Sequence, residues 1–210
     1  MLRLLLVRHG ETEWNADHRY QGQTDVPLSE TGIAQAHRLA GRLSGETFDV
    51  VYASDLERAW RTAEILTSGR DLKLLPEPRL REMHFGLLEG LTFDEAYERH
   101  AELIDAWMEH HDQPLPGGEH PVAFFERVTA VLDDLQRIHA DQTVLLVAHG
   151  GPLSEMMRIM LGLPHAHRWA FLMSNAALSE IQLADGTPYV KTWNETCHLI
   201  APASGVGKRV

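Results

Sequence analysis

Two short apolar runs end in the same dipeptide, and this repetition restricts the fold more than any other feature of the chain. Leu4-Leu5-Leu6-Val7 leads into Arg8-His9-Gly10, and Val144-Leu145-Leu146-Val147-Ala148 leads into His149-Gly150. An unbroken apolar run of this length suits a strand buried on both faces, since neither face presents a polar side chain to water. The glycine behind each histidine permits a sharp turn, which places His9 and His149 at the carboxyl ends of strands. In open parallel α/β sheets that edge is where ligands bind. Taken alone, Arg8-His9 reads equally well as the first solvated residues after a strand. If the two strands are neighbours, both imidazoles stand within reach of one ligand.

The chain around these runs alternates between helical and strand patterns. A polar stretch from Trp14 to Gln23 reads as a loop. Ser29 is placed to cap a helix with Ile33, Ala36, Ala40 and Leu43 at helical spacing. Phe48 to Ala53 reads as a second strand. Ser54-Asp55-Leu56-Glu57 has capping-box spacing and opens a helix whose stripe is Leu56, Ala59, Trp60, Ala63 and Leu66, with Arg58 in its first turn. Leu72 to Leu75 is a third strand. Thr92-Phe93-Asp94-Glu95 is a second capping box, for a helix reaching about His110. Pro121 suits the first turn of a helix striped by Phe124, Val128, Val131, Leu135 and Ile138.

After the second histidine, Pro152 fits a helix N1 position. Leu153, Met156, Met157 and Met160 share one face and read as core filling. Gly162 and Pro164 end that helix. Leu178 to Leu183 and Tyr189 to Trp193 are split by Asp185-Gly186, a hairpin signal. The pattern predicts an α/β three-layer sandwich: a mainly parallel sheet, helices on both faces and an antiparallel edge strand. Residues 1–200 are expected to form one domain, with 85–122 as a lid or substrate wall between site blocks. Residues 201–210, small and polar, are expected to form a mobile tail.

Composition narrows the function. The 210 residues carry a net charge of −11 with thirteen histidines taken as neutral, which argues against a nucleic-acid surface. Cys197 is the single cysteine, so no intrachain disulfide and no cysteine-rich zinc pattern is available. The first apolar run is too short for a signal h-region or a membrane span. A cytoplasmic protein acting on a small molecule, with no membrane partner, is expected.

In so acidic a chain, Arg8 and Arg58 near two histidines point to a phosphate. Guanidinium forks match phosphate oxygens and stay charged. A neutral imidazole is a competent nucleophile toward phosphorus near pH 7, and two arginines beside it disfavour its protonated form. A leaving alkoxide needs a proton, for which Glu11, Glu82 and Glu89 are candidates that sequence logic does not separate. His110-His111-Asp112 and His165-x-His167 are weak as metal sites, because adjacent helix residues point apart.

The ordered set Arg8-His9-Gly10-Glu11-Thr12 with Asn15, Gln21-Gly22, Ser54-Asp55-Leu56 with Arg58 and Thr62, Glu82 before Phe85-Gly86, and His149-Gly150 resembles the histidine phosphatase superfamily, in its phosphoglycerate-mutase-like branch. Arg19-Tyr20-Gln21-Gly22 and Trp193 to Leu199 look most like its broad-specificity and alpha-ribazole phosphatases. The resemblance implies His9 as a nucleophile carrying a phosphohistidine, with Arg8, Arg58 and His149 holding the phosphoryl group. It implies Asn15, Gln21, Gly22 and Gly150 as binding residues, and Glu82 as general acid and then base. It implies no metal and no cofactor, and a small phosphorylated metabolite as substrate. A phosphomutase using the same intermediate is the alternative, and a non-catalytic phosphate-binding module the third reading. After Pro116-Gly117-Gly118-Glu119 many relatives have a serine where this chain has His120, which puts inherited specificity in question. A homodimer is left open.

Overall fold

The structure is a computed structural model, and it describes residues 1–110, 112–164, 167 and 170–200. Its sheet is assembled from β1 (Leu2–Arg8), β2 (Val50–Ala53), β3 (Leu74–Pro76), β4 (Thr143–Ala148), β5 (Leu178–Ala184) and β6 (Thr187–Glu195). The order across the sheet is β3-β2-β4-β1-β5-β6. The first four of these run parallel, and β5 and β6 are antiparallel additions at one side. Asp185 and Gly186, both with positive φ, make the turn between them.

Among the described residues the α-helices are α1 (Glu13–Ala16), α2 (Glu30–Arg42), α3 (Glu57–Thr67), α4 (Phe93–Glu109), α5 (Pro121–Ile138) and α6 (Gly150–Met160), of which α2 and α3 pack on one face of the sheet and α5 and α6 on the other. The alternation of β1 and β4 divides the core. Leu5, Val7, Leu145 and Val147 meet Leu39 of α2, Leu43 just after it, and Ala59, Ala63 and Leu66 of α3. Leu4, Leu6, Val144 and Leu146 meet Phe124, Val128 and Val131 of α5 and Leu153, Met156 and Met157 of α6. The methionine stripe is core, as its spacing implied. Leu146 is fully buried at the sheet centre, so Leu146→Ala is expected to destabilise the fold by about 2–5 kcal/mol in urea titration.

The register places the site. Arg8 lies opposite Ala148 in the β1–β4 ladder, and the His9 amide donates to the Ala148 carbonyl at 3.0 Å. The two histidines therefore leave the sheet side by side.

Several local expectations need correction. The stretch from Trp14 contains α1, because Thr12 and Asn15 form a reciprocal capping box. Ser54-Asp55-Leu56-Glu57 is not one: α3 starts after Leu56 with no side-chain cap. Pro152 is the third residue of α6, which begins directly after His149. Ile33 of α2 is exposed, and Leu39 takes the core position instead. The Thr92–Glu95 box forms as read. The second and third strands are shorter or shifted, at Val50–Ala53 and Leu74–Pro76.

Within residues 85–122, Leu88, Ala96, Ile104 and Leu115 form a small core of their own. A bridge from Arg19 to Thr92 ties this unit to the loop after α1. The weak metal motifs at 110–112 and 165–167 include residues outside those described, as does the expected tail at 201–210. Among the described residues no helix is long and apolar enough to cross a membrane.

Candidate active site

Beyond the sheet edge lies a cavity of about 170 Å³. Arg8, His9, Asn15, Gln21, Gly22, Arg58 and Glu82 all face it, joined by Arg19, Tyr20 and Phe85. His149 stands behind His9 with ring centroids 5.0 Å apart. Gly150 lies behind Arg8, where an added Cβ would touch the guanidinium at 3.8 Å. Sequence-distant residues thus meet in one small volume.

The turn after β1 is built by close backbone approach. A Cβ on Gly10 would fall 2.5 Å from the Gly32 carbonyl oxygen. The Gly10 amide donates to Thr62 Oγ1 at 3.1 Å, and that hydroxyl donates to the Arg58 carbonyl at 2.7 Å. Thr62 thereby couples the turn after β1 to the start of α3. Gly22, at φ +54, delivers its carbonyl to Arg58, and any Cβ there would collide with Glu89.

His9 is buried, and its Nδ1 lies 2.6 Å from the Gly10 carbonyl oxygen. A carbonyl only accepts, so Nδ1 carries the proton and Nε2 the lone pair. Burial first, then the Arg58 and Arg8 charges, push the His9 imidazole well below its usual range, against the opposing Gly10 bond. His149 is shifted down in the same way, by burial and then Arg58. Arg58 Nε donates to His149 Nδ1 at 3.2 Å. The proton of neutral His149 is then on Nε2, which meets Ser54 Oγ at 2.8 Å. Ser54 Oγ also accepts from the Leu56 amide at 3.4 Å, while the Glu57 amide that a capping box would engage donates to Asp25 Oδ1 at 2.7 Å.

Arg58 is fully buried and gives one donor from each terminal nitrogen to the carbonyls of Thr24 at 2.8 Å and Gly22 at 2.7 Å. Burial pulls its guanidinium down to about 10, opposed by Glu82, Asp25 and Glu89, which leaves it charged at neutral pH. Burial likewise lowers Arg8, offset by Glu82. Arg8 donates to the Met173 carbonyl at 2.6 Å, while its Nε is buried without a partner. Gln21 Oε1 is also buried and unpartnered.

The structure separates the three candidate acids. Glu89 accepts from the amides of Gln23, Thr24 and Phe85 and from the Thr24 hydroxyl, so it fastens the loop. Glu11 accepts from the Ser29 hydroxyl at the start of α2. Glu82 alone of the three lines the cavity. Its carboxylate accepts from the amides of Met83 at 2.8 Å and Gly151 at 3.0 Å. The second of these belongs to the first turn of α6, where backbone donors favour negative charge.

Two residues with no legible signal complete the site. Asn175 donates to the carbonyls of His9 and Gly10 and to Asn15 Oδ1, clamping the turn from across the sheet. Arg127 of α5 donates to the Glu119 carboxylate and to the carbonyls of Arg79, Arg81 and Glu82, so three of its five N–H donors hold the Glu82 segment and two tie it to Glu119. Neither Asn175 nor Arg127 is near the motifs in sequence. His120 caps α5 by accepting from the Val122 amide, and His84 accepts from the Gly86 amide.

Residues 4–196 match the sequence profile of the histidine phosphatase superfamily, branch 1. The chain belongs to that superfamily. Phosphoserine phosphatase 1 of Hydrogenobacter thermophilus is 36% identical over 200 residues, 95% of each chain. A Yersinia pestis protein named probable phosphoglycerate mutase is 35% identical over 213 residues, 97% of each. The alpha-ribazole phosphatase structure from Shigella flexneri superposes with a TM-score of 0.86 at 33% identity, covering 92% of this chain and 96% of that one. The chain is an enzyme of the histidine phosphatase type, with a mixed α/β sandwich. Among the described residues, no cluster of three or more His, Cys, Asp or Glu side chains is arranged to hold a metal ion.

Two buried neutral histidines predict a pH dependence. Their folded values lie below those of the unfolded chain, so unfolding takes up protons as pH falls through 6.5. Stability therefore falls below pH 6.5, by up to about 1.4 kcal/mol per pH unit for each histidine until its folded value is reached. His9→Ala should remove one share of that slope in urea titrations between pH 5 and 6.5.

Proposed function

We propose that this enzyme hydrolyses small phosphomonoesters through a phosphohistidine on His9. One observation carries the reading: a neutral imidazole with its Nδ1 proton fixed on Gly10 shares one cavity with Arg8, Arg58 and Glu82.

The phosphoryl oxygens meet Arg8 and Arg58, with Asn15, Gln21 and Gly22 around them. His9 Nε2 attacks phosphorus as the bond to the ester oxygen breaks. His149 exchanges Ser54 Oγ for a phosphoryl oxygen, a stronger acceptor because it is charged. Arginine and imidazole donors stabilise the charge spread over the transferring group. An ester that enters as the monoanion brings a proton, which passes to the Glu82 carboxylate. Glu82 then gives this proton to the leaving oxygen. In the second half it takes a proton from water, whose oxygen attacks the phosphohistidine and frees inorganic phosphate. Nδ1 keeps its proton throughout, so Nε2 is the only ring atom that changes bonds.

The reaction needs no metal in this scheme. Phosphate release should persist in excess EDTA, and loss of turnover that added divalent cation restores would overturn the metal-free form. Transfer to a second hydroxyl with no net phosphate release would instead make the enzyme a mutase.

A further inference from the structure

The phosphate cavity does not end at Tyr20. Through Arg8, Asn15, Arg19 and Tyr20 it continues into a second space of about 460 Å³, whose further walls are Trp14, His18, Phe93 and Asn175. Three aromatic rings line it and no carboxylate does. For scale, a cavity of about 150 Å³ holds a benzene ring.

These walls are held in place. Trp14 sits in α1, its ring edge against Gly90, where a Cβ would come within 3.2 Å of Cη2. The Arg19 amide donates to the Trp14 carbonyl at 2.8 Å. The Arg19 guanidinium donates to the Gly90 carbonyl at 2.8 Å and to Glu95 at 2.7 Å, binding the loop to α4. Its charge is thus matched within the protein. Tyr20 packs on Phe85 with centroids 5.6 Å apart. Phe93, the first residue of α4, is 45% exposed and stacks on Tyr97, itself exposed. Packing of the fold does not require an exposed Phe93 ring on the wall of this space. Aromatic faces set among fixed polar groups, here Trp14, Tyr20 and Phe93 among Asn15, Arg19 and Asn175, are what a ligand pocket offers.

We propose that this second space receives the leaving group, and that it selects alcohols bearing an aromatic or heteroaromatic ring, which lies against Trp14 and Phe93. The proposal rests on the phosphatase reading above and specifies its substrate class. A ring fills the space and covers the exposed faces. A small zwitterionic alcohol such as serine leaves the rings uncovered, and its ammonium finds no carboxylate in the walls.

The test compares propyl phosphate, 3-phenylpropyl phosphate and O-phosphoserine by phosphate release from the purified full chain. The first two leave as similar alkoxides, so their ratio of kcat/KM isolates the phenyl ring. The ring should raise kcat/KM by about tenfold or more, and phosphoserine should fall below the phenylpropyl ester. Phe93→Ala, a change at an exposed position, should cut the phenylpropyl-to-propyl ratio by about fivefold. A wild-type ratio near one, a ratio that Phe93→Ala leaves intact, or phosphoserine as the best of the three overturns the ring assignment. Each of those results retains phosphate release and with it the phosphatase reading. No release from any ester removes both.

Discussion

His9→Ala is expected to abolish phosphate release, lowering kcat by about four orders of magnitude or more. Deleting a nucleophile removes the reaction path itself, and single deletions of this kind in coupled catalytic groups approach the loss of the whole set. Alanine leaves Arg8, Arg58, His149 and Glu82 in place, so the cavity should still bind phosphate esters. The folding test runs opposite to activity: the variant lacks one buried neutral imidazole, so it resists acid better than the wild type. Rapid quenching with labelled ester should trap an acid-labile phosphoenzyme in the wild type and none in His9→Ala. Turnover by His9→Ala at the wild-type rate would remove His9 as nucleophile, and a trapped phosphoryl group in both proteins would place it on another residue.

The same chemistry sets an acid limb. In the proposed mechanism only neutral His9 attacks, and burial with two arginines keeps it neutral well below its usual range. After allowance for the ester's own second ionisation near pH 6, kcat/KM should stay flat through pH 6. A fall with a midpoint at 6.5 or above would mean that His9 titrates as if it were solvated.

Strand identity and the paired histidines were legible because each rests on a strong local pattern. Val144 to Ala148 is continuously apolar, and that is sufficient to mark a buried central strand. The adjacency of His9 and His149 needed only the two strands to be neighbours, which the 8-to-148 register supplies. Ser54 was misread for an instructive reason. A serine three residues before a glutamate matches a cap in local spacing, but its hydroxyl lies 2.8 Å from an imidazole 95 residues away. That competing partner is a tertiary fact, and buried polar groups are satisfied wherever a partner lies. Asn175 and Arg127 were illegible for the same cause: most of their hydrogen bonds join backbone carbonyls, and any sequence displays carbonyls there. Glu82 was one of three open candidates by residue logic. The cavity separates it from Glu11 and Glu89, which are engaged in holding loops.

Glu82→Gln should separate esters by their leaving groups. A general acid contributes about 10²–10⁴ where the departing oxygen must be protonated, so kcat/KM for an alkyl phosphate should fall by at least about a hundredfold. A nitrophenyl ester departs as a stable anion, and its kcat/KM, which reports the steps through phosphorylation of His9, should fall less than about tenfold. Its kcat should fall much further, because the second half-reaction still needs a base to activate water and an amide is not one. Nitrophenol release should therefore show a burst approaching one equivalent per active site, followed by a slow steady rate. The side-chain amide introduced by Glu82→Gln keeps one oxygen for the Met83 or Gly151 backbone N–H but cannot serve both as the carboxylate does. A purely structural role would accordingly depress both esters alike. Equal losses on both esters with no burst would remove Glu82 from proton transfer. A burst with a large alkyl loss identifies one carboxyl group acting as acid in the first step and base in the second.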